Sequence, residues 1–272
     1  MDITVLENVS YGSHERHILD LYMPQTPKTD SGMILFIHGG GWTSFDKTAH
    51  TADCKYWSEK GYICATMSYR YVDSHLTVFD ELDDITAAME KIKSICAERG
   101  WNLSRALLSG GSAGAHLSLM YAYTEAERAP ITPVAVFCQC PPTYCHSDDF
   151  LMGIKGEFEE WKYGVLSYCC GTTVSKETLH NADVQEKLLR MSPASYITGR
   201  VVPTGVCHGV QDEIVPYNHT LLFLDALEQK GIPHDLLTYP NSGHALDKDP
   251  QMDIQAKELM EKYLEKYLLE NN

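Results

Sequence analysis

The sequence predicts an α/β domain with a mostly parallel central sheet and helices on both faces. From residue 32 onward, short apolar runs alternate with longer amphipathic segments, and strands that are apolar throughout are typical of parallel sheets covered on both sides. The length of 272 residues fits one such domain with an insertion better than two complete domains. Hydrophobic residues make up 44% of the chain and charged residues 22%, which excludes the disordered and low-complexity classes. We therefore predict a single domain over residues 1–272.

The predicted elements follow one another in a regular order. Two β-patterned runs, 3–9 and 17–23, have only a turn between them and predict an antiparallel edge of the sheet. The later strands are predicted at 32–37, 62–67, 106–108, 131–137, 202–207 and 234–239, most of them as apolar runs. The helices have apolar residues at a spacing near 3.6, as Leu82, Ile85 and Met89 show. They are predicted at 52–60, 80–99, 113–125, 218–230 and 253–268.

Residues 141–191 interrupt this alternation. The segment begins with two prolines, contains the acidic run 157–160 and is rich in aromatic residues, namely Tyr144, Phe150, Phe158, Trp161, Tyr163 and Tyr168. A compact insertion at this point of an α/β chain is typically a lid or a pocket wall. We predict a small, mainly helical cap over the strand ends. Its aromatic residues either line the pocket or form the core of the cap, and we expect the core for most of them.

The charge balance excludes two classes of partner. Lysine and arginine number 22 against 37 aspartate and glutamate residues, so the formal net charge is −15. Such a chain does not attract nucleic acid or an anionic membrane, and it favours a neutral or cationic small substrate. The N-terminus has no basic stretch before an apolar run, and no apolar run approaches the roughly 18 residues of a membrane span. We expect a cytoplasmic protein; assembly into a homo-oligomer stays open.

Nine cysteines are spread along the chain without a secretory leader, which favours reduced thiols over a disulfide framework. Cys138 and Cys140, followed by Cys145 and His146, outline one half of a metal site, but no second half with matching spacing follows. Free cysteines commonly behave as small buried apolar residues. We interpret these cysteines in that way and expect no metal.

The most informative segment is 107–116, which contains Gly-x-Ser-x-Gly at 110–114. A predicted strand precedes it and a predicted helix follows, so Ser112 lies on a tight strand-to-helix turn that exposes its hydroxyl. The helix N-terminus at this turn favours developing negative charge. The alternatives are a phosphate-binding loop or an ordinary turn, but the Gly-x-x-x-x-Gly-Lys-Ser/Thr pattern is missing. Ser112 is therefore the candidate nucleophile.

A serine nucleophile needs hydrogen-bond donors for the oxyanion, and residues 38–42 (His-Gly-Gly-Gly-Trp) supply candidates. The segment directly follows an apolar strand, which disfavours the alternative of a merely flexible turn. Consecutive glycines let backbone N–H groups face a substrate oxygen without interference from side chains. We expect two of Gly39, Gly40 and Gly41 to form an oxyanion hole together with the N–H of Ala113.

The base and the acid are expected after the serine in the chain. His244 lies in a loop between the last predicted strand and the closing helix, and Asp212 lies in the loop that leaves strand 202–207. The chain order Ser112, Asp212, His244 is that of the α/β-hydrolases. His244 would take the proton of the serine and pass it to the leaving group, while Asp212 holds the imidazole. Glu213 is the alternative acid.

Three other histidines near these motifs are expected to have structural roles. We expect His38 to brace the glycine-rich loop, His116 to face away from the serine on the following helix, and His208 to be structural. Because the chain holds 12 histidines, the position of His244 at a strand end carries its assignment, and the residue type alone does not.

Together these motifs resemble the α/β-hydrolase carboxylesterases. The matching segments are 38–42, 110–114, 208–216 and 242–244. Within that family, the chain is similar to the small bacterial esterases and lipases related to hormone-sensitive lipase, including acetyl-xylan and feruloyl esterase-like enzymes. The resemblance extends from about residue 17 to the end and is weakest over 141–191. It implies the same triad and oxyanion hole, and no metal or organic cofactor.

The function implied by this resemblance is a serine carboxylic ester hydrolase for small, short-acyl esters, such as acetylated sugars or esters of aromatic acids. A kynurenine formamidase-like amide hydrolase is the alternative, because those enzymes have a similar pattern at 38–42. A non-catalytic binding protein on the same scaffold is a third hypothesis, which the complete set of Ser112, Asp212 and His244 disfavours. The expected partner is a small-molecule ester.

Overall fold

The computed structural model describes residues 2–152 and 157–269. Within these ranges, eight strands form one sheet in the order β1-β2-β4-β3-β5-β6-β7-β8. The strands are β1 (Ile3–Ser10), β2 (Ile18–Pro24), β3 (Gly32–Ile37), β4 (Ile63–Met67), β5 (Arg105–Gly111), β6 (Thr132–Gln139), β7 (Thr204–Gly209) and β8 (His234–Tyr239). β2 is antiparallel to both β1 and β4, while β3 to β8 run parallel to one another. The predicted antiparallel edge and mostly parallel sheet are confirmed.

Helices connect the strands. They are α1 (Thr51–Glu59), α2 (Val78–Ala97), α3 (Ala113–Thr124), α4 (Asp148–Met152), α5 (Glu157–Cys170), α6 (Ala182–Arg190), α7 (Tyr217–Gln229) and α8 (Pro250–Tyr263). The last one continues as a π-helix over Leu264–Leu269. None of the helices within the described ranges combines the length and the apolar character needed to cross a membrane.

Strand β3 shows why helices cover both faces of the sheet. Its side chains alternate: Met33, Leu35 and Ile37 belong to one apolar cluster, and Ile34 and Phe36 belong to another. The first cluster includes apolar residues of α2, α3 and α7, and the second includes apolar residues of α1 and α8. A strand that is apolar on both sides must bury both, so the two helical layers follow from the strand's composition.

α2 and α8 begin at least two residues earlier than predicted, each directly after its N-cap residue. α2 begins at Val78, two residues before the predicted start, because Thr77 is its N-cap and the Asp80 carboxylate accepts the Thr77 N–H at 2.8 Å. α8 begins at Pro250, three residues before the predicted start, with Asp249 as its N-cap. Proline is favourable at this first position because a backbone N–H there would have no partner inside the helix, so its absence costs nothing.

β5 and β7 are two of the strands whose bounds differ from the predicted ones, because the pairing of neighbouring strands decides where a strand begins and ends. β5 is longer than the predicted 106–108, since it pairs with β3 as far as Gly110 and with β6 as far as Gly111. β7 begins at Thr204, two residues after the predicted start. The residue before it, Pro203, has no N–H for the ladder.

The chain between β6 and β7 forms the helices α4, α5 and α6, while residues 153–156 of this segment lie outside the described residues. Phe150 and Tyr163 are buried there, but Phe158, Trp161 and Tyr168 are exposed. The expectation that most aromatic residues of this segment form a core is therefore wrong. Three of these aromatic residues, Phe150, Phe158 and Trp161, line the candidate active-site cavity.

Candidate active site

Ser112 lies on the sharp turn between β5 and α3. Its φ of 54° and ψ of −120° are rare for a residue other than glycine, and its N–H donates to the Gln139 carbonyl at 2.8 Å. A Cβ atom on Gly114 would lie 2.0 Å from the Ile37 carbonyl oxygen, and one on Gly110 would lie 2.4 Å from it. The end of β3 therefore packs directly against both glycines, and the turn holds Ser112 in a strained conformation at the strand end.

The glycine-rich loop after β3 runs beside Ser112. A Cβ atom on Gly39 would lie 3.5 Å from the Cβ of Ser112. Gly40 and Gly41 have φ of +100° and +58°, in the region that favours glycine. The N–H groups of Gly40, Gly41 and Ala113 donate no hydrogen bond to another described residue. These donors therefore remain available to a ligand next to the serine.

His38 and Tyr69 hold the base of this loop. His38 is buried, its Nδ1 donates to the Gly39 carbonyl at 2.8 Å, and the Tyr69 hydroxyl donates to the His38 carbonyl at 2.8 Å. Burial lowers the pKa of His38 to about 4, so the ring is neutral at neutral pH. Arg16, which precedes β2, donates to the carbonyls of Tyr69 and Phe45 at 2.6 and 2.9 Å. Segments distant in the chain thus fix the loop.

Asp212 and His244 come together from two loops. His244 Nδ1 lies 2.7 Å from Asp212 Oδ2, and since a carboxylate accepts, Nδ1 carries the proton and Nε2 is left to accept one. Oδ1 of Asp212 accepts the N–H groups of Ile214 and Val215 at 2.9 and 2.8 Å. Burial by itself would raise the pKa of Asp212, but the hydrogen bonds from His208 and His244 outweigh it and hold that pKa well below its usual range.

Ser112 and His244 line one cavity of about 490 Å³. Glycines 39–41 lie on the same surface, and the aromatic lining consists of Trp42, Phe45, Phe150, Phe158 and Trp161. No hydrogen bond joins Ser112 Oγ to His244 within residues 2–152 and 157–269. Glu213, the alternative acid, is exposed. The structure therefore brings Ser112, His244 and the glycines to one cavity, with Asp212 bound to the far side of the imidazole.

One cluster of metal-ligating side chains overlaps this site. Donor atoms of Cys140, Asp212 and His244 all lie within 4.8 Å of one another. Burial, and next the Asp212 carboxylate, raise the pKa of the Cys140 thiol well above its usual range. Since the thiolate is the form that ligates metals, these surroundings favour a protonated thiol beside the Asp–His pair. Cys145 and His146, which follow Cys140 in the sequence, are not part of this cluster.

Two family models and a relative named as a probable carboxylic ester hydrolase match this chain. The BD-FAE family model matches residues 19–147, and the prolyl oligopeptidase family model matches residues 166–271. The chain is 27% identical over 248 residues to LipM of Mycobacterium tuberculosis, a probable carboxylic ester hydrolase, covering 88% of this chain and 56% of that protein. The chain thus spans little more than half the length of this relative.

Two solved structures are similar over nearly the whole chain. Esterase B from Lactobacillus Rhamnosis has a TM-score of 0.75 at 20% identity, covering 96% of this chain and 85% of that one. A truncated carbohydrate esterase from gut microbiota has a TM-score of 0.75 at 18% identity, covering 95% of this chain and 96% of that one.

The chain has the α/β-hydrolase fold. This confirms the predicted fold class and the resemblance drawn from the motifs. LipM is named as a probable carboxylic ester hydrolase, and the two structural neighbours of this α/β-hydrolase are named as esterases.

Three residues of this α/β-hydrolase site have roles in the structure that were not predicted from the sequence. Arg16 reaches the glycine-rich loop, Cys140 lies against the Asp–His pair, and Lys162 lines the cavity. For Lys162 a sequence feature was available, since this lysine is flanked by aromatic and apolar residues at 161–166. For Arg16 and Cys140 nothing in the local sequence indicates the contact.

Proposed function

We propose that the protein is a serine carboxylic ester hydrolase that acts on small, short-acyl esters. Ser112 Oγ attacks the ester carbonyl carbon while His244 Nε2 takes its proton, and the alcohol leaves with that proton as the acyl-enzyme forms. Water then attacks the acyl-enzyme with the same base, and the acid is released. Asp212 holds His244 in the tautomer that leaves Nε2 free, and it stabilises the imidazolium.

One observation carries this proposal: a serine on a strained turn shares a cavity with a histidine whose far nitrogen is bound to a buried carboxylate at 2.7 Å. A serine hydroxyl is a weak nucleophile unless a base of this kind activates it. Hydrogen bonds between catalytic groups are often long before substrate binds. We therefore expect the contact between Ser112 and His244 to shorten in the complex with substrate.

The oxyanion of the tetrahedral intermediate would be stabilised by backbone donors. We assign this role to the N–H of Ala113 and to two of Gly39, Gly40 and Gly41. The support is that these glycines line the cavity and that the N–H groups of Gly40, Gly41 and Ala113 have no other partner in the described chain. Fixed donors of this kind stabilise the developing charge without reorganising during the reaction.

Small esters fit the size and lining of the cavity. A volume of about 490 Å³ is within the range of about 300–1,000 Å³ that is typical of small-molecule sites. Five aromatic side chains form part of the walls, which suits short acyl groups and flat alcohol or sugar rings. Acetylated sugars are one substrate class that we propose, supported by the similarity to a carbohydrate esterase.

Amide cleavage is a second candidate function for the same residues. The prolyl oligopeptidase family model covers 166–271, the part of the chain that contains Asp212 and His244. The same attack by Ser112 would cleave an acyl amide, with His244 protonating the departing amine. Comparing p-nitrophenyl esters with p-nitroanilides of the same acyl groups distinguishes the two functions by their kcat/KM values.

Hydrolysis of a p-nitrophenyl ester series from acetate to a long acyl chain tests the proposed function. We expect the highest kcat/KM at acetate or butyrate, and a loss of at least about 10³-fold in Ser112→Ala. Ser13→Ala, which changes an exposed serine of the β1–β2 turn, is the matched control and should retain wild-type activity. Near wild-type turnover in a folded Ser112→Ala protein would overturn the assignment.

A further inference from the structure

Lys162 is a lysine buried at the wall of the candidate active-site cavity. It lies in α5 and is only 3% exposed. The preceding residue, Trp161, covers the glycine-rich loop, since a Cβ atom on Gly41 would lie 2.7 Å from its ring. Val165 and Leu166, one turn further along α5, also line the cavity. This face of α5 is therefore a wall of the site, and Lys162 is the cation in that wall.

The partners of the Lys162 ammonium are all neutral. Nζ donates to the carbonyl oxygens of Phe150 and Ile214, and it lies 4.0 Å from the centroid of the Phe150 ring. Lys162 takes part in no ion pair within residues 2–152 and 157–269. An ammonium has three N–H donors, so two carbonyls leave one donor unused. No carboxylate contacts Nζ directly, although the charge of Asp212 acts on Lys162, and an anion beside Nζ would offset the cost of burying the ammonium.

The rest of the cavity does not supply this anion. Among the described residues that line it, none is an aspartate or a glutamate. Its other ionisable side chains are His50, His244 and Cys140. The Nδ1 atoms of the two histidines lie 2.8 and 2.7 Å from the carboxylates of Asp53 and Asp212, and burial raises the pKa of the Cys140 thiol, which favours its neutral form. Asp212 itself already accepts four hydrogen bonds from other groups. Lys162 therefore makes this cavity locally cationic within a protein of net charge −15.

Two further points support the binding of an anionic ligand by Lys162. Burial lowers the pKa of Lys162 to about 8, so the ammonium is still mostly protonated at neutral pH. The surface acidic residues repel anions only weakly at physiological salt, because exposed charges beyond about 8 Å are screened. The attraction of an anionic ligand to a buried ammonium at short range therefore outweighs its repulsion by the net negative charge of the chain.

We propose that Lys162 binds an anionic group of the substrate, so that small esters carrying a carboxylate are preferred to neutral esters of the same shape. The inference rests on the proposed ester hydrolase function and narrows its substrate class. The carboxylate would accept the unused N–H of Lys162, while the apolar part of the substrate packs on Val165, Leu166 and Val215. The ester carbonyl would lie at Ser112.

Two pairs of matched esters test this inference, one for each side of the ester bond. Monoethyl succinate is compared with ethyl 4-methylpentanoate, and 4-acetoxybutanoate with 4-methylpentyl acetate, so that an isopropyl group replaces the carboxylate. We expect the wild type to have a higher kcat/KM for the anionic member of at least one pair. Lys162→Gln, which keeps an N–H donor but loses the charge, should lower that anionic-to-neutral ratio by about 10- to 100-fold.

Lys176→Gln is the matched control, because Lys176 lies just after α5 but is exposed and paired with Glu159. It should retain the wild-type ratio. An unchanged ratio in Lys162→Gln, or an equal loss for both members of a pair, would overturn the inference and leave Lys162 as a structural contact. If the wild type cleaves neutral esters without any anionic preference, the inference alone is wrong. If it cleaves p-nitrophenyl esters but neither member of either pair, the inference is wrong; if it cleaves none of these esters, the proposed function is wrong as well.

A measurement on the unmodified protein covers the case in which Lys162→Gln does not fold. Succinamate and 4-methylpentanamide place an amide where the ester would bind and differ in the carboxylate. We expect succinamate to inhibit hydrolysis of a neutral ester at a concentration at least about tenfold lower. Equal inhibition by the two amides would contradict a carboxylate contact at Lys162.

Discussion

His208 donates to the same carboxylate oxygen of Asp212 that accepts from His244. Its Nε2 lies 3.1 Å from Asp212 Oδ2 and 3.1 Å from the Val215 carbonyl, and its Nδ1 lies 2.7 Å from the Thr220 hydroxyl. Both partners of Nε2 are acceptors, so Nε2 carries the proton. Asp212 thus has an imidazole donor on each side, one facing the core and one facing the cavity. Together with two backbone N–H groups, they keep a buried carboxylate ionised and fixed in orientation.

We predict that His208→Phe lowers kcat by about tenfold with little change in KM, because Asp212 loses one of its charged hydrogen bonds and positions His244 less well. Steady-state kinetics on a short-chain p-nitrophenyl ester measures this. His219→Phe is the matched control, since His219 is also buried but makes no contact with Asp212. Equal kinetics for the two variants would show that His208 does not position the acid.

The choice between the two neighbouring acidic residues gives a second prediction. Asp212→Asn should lower kcat by about 10⁴-fold, because the amide no longer holds the productive tautomer of His244. Glu213→Gln, one residue away but exposed, should retain nearly full activity. Circular dichroism checks that both variants are folded. The opposite ranking of the two variants would assign the acid to Glu213.

A third prediction concerns the glycine-rich loop. Gly40→Ala places a Cβ atom 2.2 Å from the Ser44 carbonyl oxygen, so the loop must move and the oxyanion donors with it. We expect kcat to fall by about 100-fold, comparable to the loss of one oxyanion donor.

Gly100→Ala is the control for the glycine conformation itself, because Gly100 has φ of +80° with nothing near the added Cβ atom. It should cost about 1–2 kcal/mol of stability and leave kcat unchanged. Thermal unfolding and ester kinetics on both variants separate the strain of a positive φ from the clash. Wild-type kcat in Gly40→Ala would show that this loop does not form the oxyanion site.

The pH dependence of the anionic preference gives a fourth prediction. Because the pKa of Lys162 is lowered to about 8, its charge is present below that pH and is lost above it. The ratio of kcat/KM for an anionic ester to that for its neutral isostere should fall about tenfold between pH 7 and pH 9. Taking the ratio cancels any pH effect on the hydrolytic step that both substrates share.

The groups that face Lys162 do not titrate in this interval. Burial raises the pKa of Cys145 to about 12 and lowers that of His219 to about 4, while the pKa of Asp212 lies well below its usual range. The same ratio in Lys162→Gln should therefore be flat from pH 7 to pH 9. A flat ratio in the wild type would contradict the role of Lys162.

Much of the fold was predictable because local sequence decides it. β3 and β8 have their predicted bounds, since β3 is an apolar run and β8 lies between Pro233 and Pro240. β5 and α2 were predicted at the right place but not with the right ends. Two kinds of contact decide these ends, and residue propensities do not predict either of them. The Gly110–Gly111 end of β5 pairs with β3 and β6, and Thr77 forms a cap with Asp80.

The candidate site was predictable to the extent that its residues lie in short motifs. Ser112, the glycines 39–41, Asp212 and His244 all stand at strand ends, and parallel strands present those ends at one edge of the sheet. The order of the motifs was therefore enough to expect these residues near one another. The hydrogen bond of His244 to Asp212 and the second donor, His208, could not be predicted from the motifs, because they depend on how the loops fold against each other.

By itself, the sequence determined the class of this protein: an α/β-hydrolase whose apolar strands require helices on both faces. It also indicated a neutral or cationic substrate, because net charge is a property of composition. Only the tertiary structure placed Lys162 in the cavity, 52 residues from its contact at Ile214, and left it without a carboxylate partner among the described residues. Composition sums charges over the whole surface, whereas binding depends on the few charges that folding buries beside the ligand, where water and salt no longer screen them.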